Sequence, residues 1–123
     1  MAERPKYDLQ ERLLAFTVGV LNVVEALPAT RAGNHVAGQL VRCGTSPMAN
    51  YAEAQGAESR SDFIHKIRIA LKELREIRVW LQLVQRKFSM KPVLEIGPLQ
   101  AECDELIAIL VTCIKTAERN QRK

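Results

Sequence analysis

Basic residues recur at intervals of three and four in the middle of the chain. Side chains at this spacing lie on one face of a helix, so their charges form a single row. A row of cations can follow a phosphate backbone, binding through charge rather than through base edges. Aromatic residues make up only 5% of the chain and do not interleave with the row, so base stacking is not expected. The row consists of His65, Arg68, Lys72, Arg75 and Arg86, with Gln82 among them.

The positive charge of the chain is concentrated in this same segment. Eight Lys and Arg residues lie between Lys66 and Lys91, against only Glu73 and Glu76. The whole chain has a net charge of +4, so the remainder is slightly acidic. Nucleic acid is therefore the leading candidate partner. The alternative is a solvated face with local ion pairs, such as Lys72 with Glu76 or Lys66 with Glu73.

The remaining reactive residue types do not form an active-site pattern. A di-iron site in a helical bundle needs two Glu-x-x-His pairs, whereas this chain has a single acid-x-x-His, from Asp62 to His65. The sequence contains no phosphate-binding loop and no nucleophile elbow. Cys43, Cys103 and Cys113 fall at apolar helix positions, so core packing explains them better than a catalytic thiol. We expect no enzyme, metal site, cofactor or small-molecule substrate.

The start and stop signals of helices organise the chain. Asp8 can cap a first helix, and Pro28 ends it because proline lacks the amide that continues a helix. Either Ser59 or Ser61 can cap a third helix, and Pro98 fits the first position of a fourth. The predicted helices span about 8–27, 31–57, 60–88 and 98–119, with a loop over 89–97.

Apolar residues spaced alternately four and three apart predict which face of each helix is buried. Four such helices with short connections predict an all-α fold, a single domain over residues 1–123 forming an antiparallel up-down-up-down four-helix bundle. Helix two has mostly small buried-face residues, which would let a neighbouring backbone approach closely. The predicted buried positions are Leu9, Leu13, Phe16, Val20, Val23, Leu27, Val36, Leu40, Cys43, Pro47, Asn50, Ala54, Ala57, Phe63, Ile67, Ala70, Leu74, Ile77, Leu81, Val84, Phe88, Leu99, Cys103, Leu106, Leu110, Cys113 and Ala117.

The sequence favours a cytoplasmic protein. The first residues lack the apolar core of a signal peptide, and no apolar run approaches the length that spans a bilayer. Three cysteines without a Cys-x-x-Cys pair indicate neither a disulfide framework nor a zinc site, as expected in a reducing compartment. We therefore expect no membrane partner.

A second apolar strip on helix one predicts self-association. Leu14, Val18 and Leu21 lie beside the main buried face, so this helix is apolar around most of its circumference. Trp80 and Leu83 extend the apolar surface of helix three in the same way. Because large exposed apolar patches usually mark interfaces, we expect a homo-oligomer that uses these five residues. The alternative is an irregular bundle that covers them itself.

A polar group interrupts the buried face of helix two. Asn50 lies on that face, and a buried amide needs hydrogen-bond partners, which Arg42, Glu53 or Arg75 could supply. We group Arg42, Asn50, Tyr51 and Glu53 as a polar cluster that fixes helix register and geometry. The alternative interpretation is a ligand or catalytic site at Asn50, Tyr51 and Glu53.

Two motifs carry a family resemblance, the Asn-Tyr-Ala-Glu-Ala run at residues 50–54 and the Leu-Lys-Glu-Leu-Arg-Glu run at residues 71–76. Across roughly residues 6–120 the chain resembles the bacterial four helix bundle protein family. Its members are also called intervening-sequence or S23 proteins, because some are encoded within 23S ribosomal RNA genes. The resemblance implies a four-helix bundle that assembles into a homopentamer with a central channel, and for most members no activity is established.

The chain is also distantly similar to the accessory protein of diversity-generating retroelements. That resemblance implies a basic pentameric barrel that binds nucleic acid. Together these observations predict a non-enzymatic oligomer that binds RNA or structured DNA through Arg68, Lys72, Arg75 and Arg86. The alternative is a protein-interaction scaffold whose basic face docks an acidic protein partner.

Overall fold

The chain folds as a bundle of α-helices. A computed structural model describes residues 8–88 and 96–121, and within these ranges there are four helices and no strand. The predicted all-α bundle is therefore confirmed for the described residues, and each helix end lies within one turn of its expected position. The helices are α1 (Leu9–Ala26), α2 (Arg31–Gln55), α3 (Arg60–Lys87) and α4 (Ile96–Gln121).

Side-chain caps begin the first three helices. Each cap accepts a hydrogen bond from a backbone amide in the first turn that has no partner within the helix. Ser59, not Ser61, is the residue that caps α3. Ser61 instead accepts a hydrogen bond from the side chain of Gln121 at 2.8 Å. The three caps are Asp8 to the amide of Glu11 (3.1 Å), Thr30 to that of Gly33 (3.0 Å) and Ser59 to that of Asp62 (3.0 Å).

The start of α4 differs from the prediction. The helix begins at Ile96 rather than at Pro98, so Gly97 is helical and the loop expectation was wrong for these positions. Proline is tolerated here because amides of the first turn have no partner within the helix. Ile96 is buried, which anchors this first turn to the core. The rest of the predicted loop, residues 89–95, lies outside the described residues.

The core follows the predicted alternation of four and three. Most of the predicted positions are buried, and the exceptions are half-buried: Leu27, Asn50, Ala57, Phe63, Phe88, Leu99 and Cys113. The buried faces are also wider than the pattern indicated, because a helix inside a bundle contacts neighbours on two sides. The buried residues outside the predicted set are Thr17, Gly33, Gly44, Ile64, Leu71, Ile96 and Ile114.

Helix α2 continues through its internal proline and packs closely on α1. Pro47 is buried within the helix, and at Gly44 a Cβ atom would lie 2.8 Å from Cγ1 of Val20. Thr17 is buried at the same crossing and donates its hydroxyl to the carbonyl of Leu13 at 2.9 Å. The close approach expected of the small residues thus occurs at Gly44. At Gly38 a Cβ atom would have no atom of another helix within 4 Å among the described residues.

The four helices contact one another to different extents. The α2–α3 and α3–α4 pairs share the largest contacts, the α1–α2 contact is smaller, and the α1–α4 contact is smaller again. Helix α3 therefore lies between its two most extensive neighbours. This arrangement positions the outer face of α3 next to the side chains of α4.

Candidate nucleic-acid interface

The predicted basic row lies on the surface of α3. Arg68, Lys72, Arg75 and Arg86 are all exposed, while Leu74 on the opposite side of the helix is fully buried. Burial of that apolar face fixes the rotation of α3 about its axis, so the basic residues must face outward. Their exposure agrees with the prediction, although exposure alone does not make a binding site.

Three of these residues line a groove between α3 and α4. The groove has a volume of about 390 Å³, and Arg68, Lys72 and Arg75 contribute to it from α3. Lys115 of α4 adds a fourth cation, which was not part of the predicted basic row because that row lay on helix three alone. Arg86 is not among the lining residues, so the structure separates it from the other three. The remaining lining residues are Leu71, Val111, Ile114 and Glu118.

Most of the groove's positive charge is not neutralised within the molecule. Arg68 pairs with Glu118, the single carboxylate among the described residues that line the groove. Among the described residues, no carboxylate lies within ion-pair distance of Lys72, Arg75 or Lys115. A concave surface with four cations and one anion attracts negatively charged ligands.

Two other cations of α3 are neutralised by ion pairs with neighbouring helices. Lys66 pairs with Glu53 at 2.7 Å, and Arg78 pairs with Asp104 at 2.9 Å. The pairs of Lys72 with Glu76 and of Lys66 with Glu73, which the alternative interpretation suggested, do not form. The two glutamates of α3 point instead towards α2, where Arg42 lies 2.5 Å from Glu76 and 3.5 Å from Glu73.

The predicted polar cluster on α2 does not come together. Asn50 donates its side-chain amide to the carbonyl and the hydroxyl of Ser46, at 3.1 Å and 2.9 Å. The expected partners Arg42, Glu53 and Arg75 were thus wrong, because an amide on a helix can reach the turn before it. Arg42 and Glu53 bind residues of α3, as described above.

Tyr51, the remaining member of the cluster, serves the core. Its ring is half-buried and packs against the core, and this burial raises the pKa of its hydroxyl. The four residues therefore occupy separate environments rather than one ligand site.

The expected interface residues divide into two groups. Leu14, Val18 and Leu83 are exposed, at 40%, 57% and 42%. Leu21 and Trp80 are half-buried. Trp80 also makes polar contacts within the chain, since its indole N–H donates to Glu76 at 3.1 Å. Leu14 and Val18 on α1 and Leu83 on α3 are thus exposed apolar side chains, and so are Val41 on α2 and Val79 on α3, which the predicted interface did not include.

The cysteines are packed as apolar residues. Cys43 and Cys103 are fully buried, and burial raises the pKa of each thiol to about 12. Cys113 is half-buried, and burial raises the pKa of its thiol as well. Because the thiolate is the nucleophile, these environments suit packing rather than catalysis.

The part of the chain over residues 8–88 and 96–121 offers neither a metal site nor a membrane span. No group of three or more His, Cys, Asp or Glu side chains in this part of the chain is arranged to hold a metal ion. None of the helices formed by these residues combines the length and the apolar character needed to cross a bilayer.

Comparison with known proteins supplies the family. Residues 6–112 match the model of the family described as 23S rRNA-intervening sequence protein. The chain belongs to that family. The resemblance drawn from the two sequence motifs is thereby confirmed at the level of the 23S rRNA-intervening sequence family. A search among curated proteins gave no match.

A solved structure supports both the family and the fold. The chain is similar to a crystal structure of a protein of unknown function, from the S23 ribosomal protein family, of Bacteroides thetaiotaomicron VPI-5482. The two share 33% sequence identity with a TM-score of 0.77, and the match covers 86% of this chain and 97% of the other. The bundle described above is therefore a fold that this family adopts.

Proposed function

We propose that this member of the 23S rRNA-intervening sequence family is a non-enzymatic, cytoplasmic nucleic-acid-binding protein. The observation that carries the proposal is the groove between α3 and α4. Its Lys72, Arg75 and Lys115 have no carboxylate partner among the described residues. Membership of a family named for a segment of 23S ribosomal RNA adds weaker support.

The spacing of the cations suits a polymer of phosphates. Arg68 and Arg75 are seven residues apart, which is about 10 Å along the helix axis at a rise of about 1.5 Å per residue, and Lys72 lies between them. Such a row contacts several phosphates of one strand, each contact releasing a counterion. No aromatic side chain on which a base could stack is found among the described residues that line the groove. Binding is therefore expected to depend on salt and to be nearly independent of base sequence.

We further propose that the protein works as a homo-oligomer, with a pentamer favoured by the family resemblance. The exposed Leu14 and Val18 on α1 support self-association, because water-exposed apolar surface is stabilised by burial against another chain. Repeating the groove around a ring would multiply the number of phosphate contacts. Within each chain we propose the up-down-up-down arrangement, which the contacts of Arg12 with Glu105 and of Thr17 with Gly44 support.

Charge reversal tests the proposal. Binding of a fluorescein-labelled single-stranded RNA is measured by anisotropy between 50 and 200 mM KCl, values on the order of those over which such binding weakens strongly. The triple variant Arg68→Glu, Lys72→Glu, Arg75→Glu should reduce affinity by about 100-fold or more and flatten the salt dependence. Its matched control is Arg86→Glu, a reversal on the same helix but outside the groove. Equal effects of the two variants, or an unaffected triple variant, would contradict the proposal.

An acidic protein partner is the competing function for the same groove. It would also be weakened by charge reversal, so the two functions are separated by nuclease treatment. A complex purified with the wild-type chain should lose its partner on treatment with RNase and DNase if the ligand is nucleic acid. Retention of one acidic protein after that treatment, without RNA binding by the purified chain, would favour the scaffold function instead.

A further inference from the structure

A second concave surface lies on the opposite flank of α4. This apolar trough has a volume of about 790 Å³, and its floor includes Phe63 of α3 and Ile109, Cys113 and Ala117 of α4. It shares no lining residue with the basic groove. The proposed nucleic-acid function therefore does not use it.

In the trough, part of the apolar face that was predicted to form the core remains partly exposed to solvent. Phe63 and Cys113 occupy core positions in the apolar pattern, yet both are only half-buried. Helix α1 contacts α4 through Arg12 at Glu102 and Glu105, towards the beginning of α4. The second half of α4, from Ile109 onward, carries the apolar side chains of the trough.

The dimensions of the trough suit a single alkyl chain. Its lining extends along α4 from Ala108 to Asn120, which corresponds to about 18 Å at a rise of about 1.5 Å per residue. Its volume falls within the range of small-molecule sites, about 300–1,000 Å³. Burying an extended hydrocarbon against Phe63 and Ile109 would remove apolar surface of both partners from water.

A positive charge at one end of the trough indicates which chemical group a ligand would place there. Arg60 is the first residue of α3 and lines the trough, so its guanidinium lies beside the positive end of the helix dipole. Among the described residues no carboxylate pairs with Arg60, and no acidic residue lines the trough. A negatively charged group at this end would find a cation without displacing an internal partner.

We propose that the trough binds one free fatty acid. Its carboxylate pairs with Arg60, and its alkyl chain lies along α4 over Phe63, Ile109 and Cys113. The combination that points to this ligand is an apolar floor, an elongated shape and one unpaired cation at an end. The proposal is independent of the basic groove and holds whether or not the protein binds nucleic acid.

The three cysteines provide the test, because only one lies in the trough. Cys113 is half-buried in its floor, whereas Cys43 and Cys103 are fully buried elsewhere and serve as internal controls. The rate of alkylation by iodoacetamide at each thiol is followed by peptide mass spectrometry on the intact native chain. The measurement is made at mildly alkaline pH, since burial raises the pKa of Cys113.

Dodecanoate below its micelle concentration is the probe, with dodecanol as an uncharged chain of equal length. Dodecanoate should slow alkylation of Cys113 by about fivefold or more when saturating, whereas dodecanol should require a concentration about tenfold higher. Arg60→Glu should raise the dodecanoate concentration needed by about tenfold or more, because it replaces the attractive charge by a repulsive one. The matched control, Arg119→Glu, reverses an exposed charge on α4 outside the trough and should change nothing.

Several outcomes would overturn the inference. Cys113 as unreactive as Cys43 without any ligand would mean that a protein segment already covers the trough. Equal protection by dodecanol, or unchanged protection in Arg60→Glu, would show that the carboxylate of the ligand does not pair with Arg60. Protection by phosphatidylglycerol vesicles but not by dodecanoate would indicate a membrane surface instead of a free acid. Circular dichroism of Arg60→Glu checks that this exposed substitution leaves the helices intact.

Discussion

Arg12 of α1 binds Glu102 of α4 through two parallel hydrogen bonds. Its Nε donates to Oε2 at 2.9 Å and its Nη2 to Oε1 at 2.7 Å, and Nη2 also donates to Glu105 at 2.9 Å. The two carboxylates raise the pKa of Arg12 above its ordinary value. These hydrogen bonds join two helices that share a much smaller contact than α1 and α2 do, so one side chain supplies much of the polar connection between α1 and α4.

Replacing the guanidinium of Arg12 by the ammonium group of lysine should weaken the connection between α1 and α4. Arg12→Lys keeps the positive charge but cannot form both bonds to Glu102, so we expect a loss of about 1 kcal/mol in the free energy of unfolding. Urea denaturation followed by circular dichroism measures it. Arg31→Lys is the control, because Arg31 is exposed and has no ion pair among the described residues. Equal stability of the two variants would mean that the paired hydrogen bonds to Glu102 contribute nothing.

Two glycines of α2 should respond oppositely to alanine. At Gly44 a Cβ would lie 2.8 Å from Val20 Cγ1, which belongs to a stiff β-branched side chain, so Gly44→Ala should cost about 1–3 kcal/mol. Gly38 has open space around it, so Gly38→Ala should stabilise the protein by about 0.5–1 kcal/mol through helix propensity. Thermal or urea unfolding compares them. A stabilising Gly44→Ala would show that α1 and α2 separate easily at this crossing.

The buried thiols predict a loss of stability at alkaline pH. Cys43 and Cys103 have pKa values raised to about 12 in the folded chain, against 9.0 for an unperturbed thiol. Between these values the unfolded chain releases protons that the folded chain keeps, so stability falls as pH rises above about 9. At pH 10 each thiol should remove about 1–2 kcal/mol relative to pH 8.

The pH effect is isolated by comparison with the variant Cys43→Ala, Cys103→Ala. Unfolding free energies of both chains are measured at several pH values, and their difference is taken at each. The alanine variant is expected to be less stable at pH 8 because of the small cavities. Its stability should nevertheless change less from pH 8 to pH 10, and parallel pH profiles would refute the assignment.

Self-association should depend on the apolar strip of α1. Leu14 and Val18 are 40% and 57% exposed, so Leu14→Asp with Val18→Asp should leave the fold of one chain intact. We expect native mass spectrometry to show an oligomer for the wild-type chain and a single chain for this variant. Val41→Asp is the control, since Val41 is 43% exposed but lies on α2. A wild-type monomer, or an oligomer unaffected by the double substitution, would rule out this interface.

The sequence predicted the helices and most of the core for a simple physical reason. A buried face recurs with the period of the helix itself, so positions such as Leu13, Leu40 and Leu74 can be recognised from spacing alone. Phe63 and Cys113 obey the same spacing but are only half-buried. Spacing identifies an apolar face and does not reveal whether a neighbouring helix covers it.

The candidate site was less predictable, because it is made by two helices. Exposure of Arg68, Lys72 and Arg75 followed from the pattern of α3 alone, whereas the contributions of Lys115 and Glu118 depend on how α4 lies beside it. Residues more than a full helix apart in sequence can be neighbours only through the tertiary fold.

The prediction of partners for the charged and polar side chains was inaccurate for the same reason. The alternative interpretation paired Glu76 with Lys72 of its own helix, whereas Glu76 binds Arg42 of α2. For Asn50 the expected partners were Arg42 and Glu53 of its own helix or Arg75 of α3, whereas its side chain binds Ser46, one turn earlier. Local spacing lists the partners within reach of a side chain but cannot rank them against those of a neighbouring helix.

The small contact between α1 and α4 has a consequence for motion. A helix held on one side mainly by α2 opens at lower free energy than the α2–α3–α4 unit, so amides of α1 should exchange with deuterium before those of α3. The opened state would expose the inner face of α1, including Leu13 and Phe16, to the solvent. α1 would then be the part of the chain most exposed to proteases and to exchange of helices between copies.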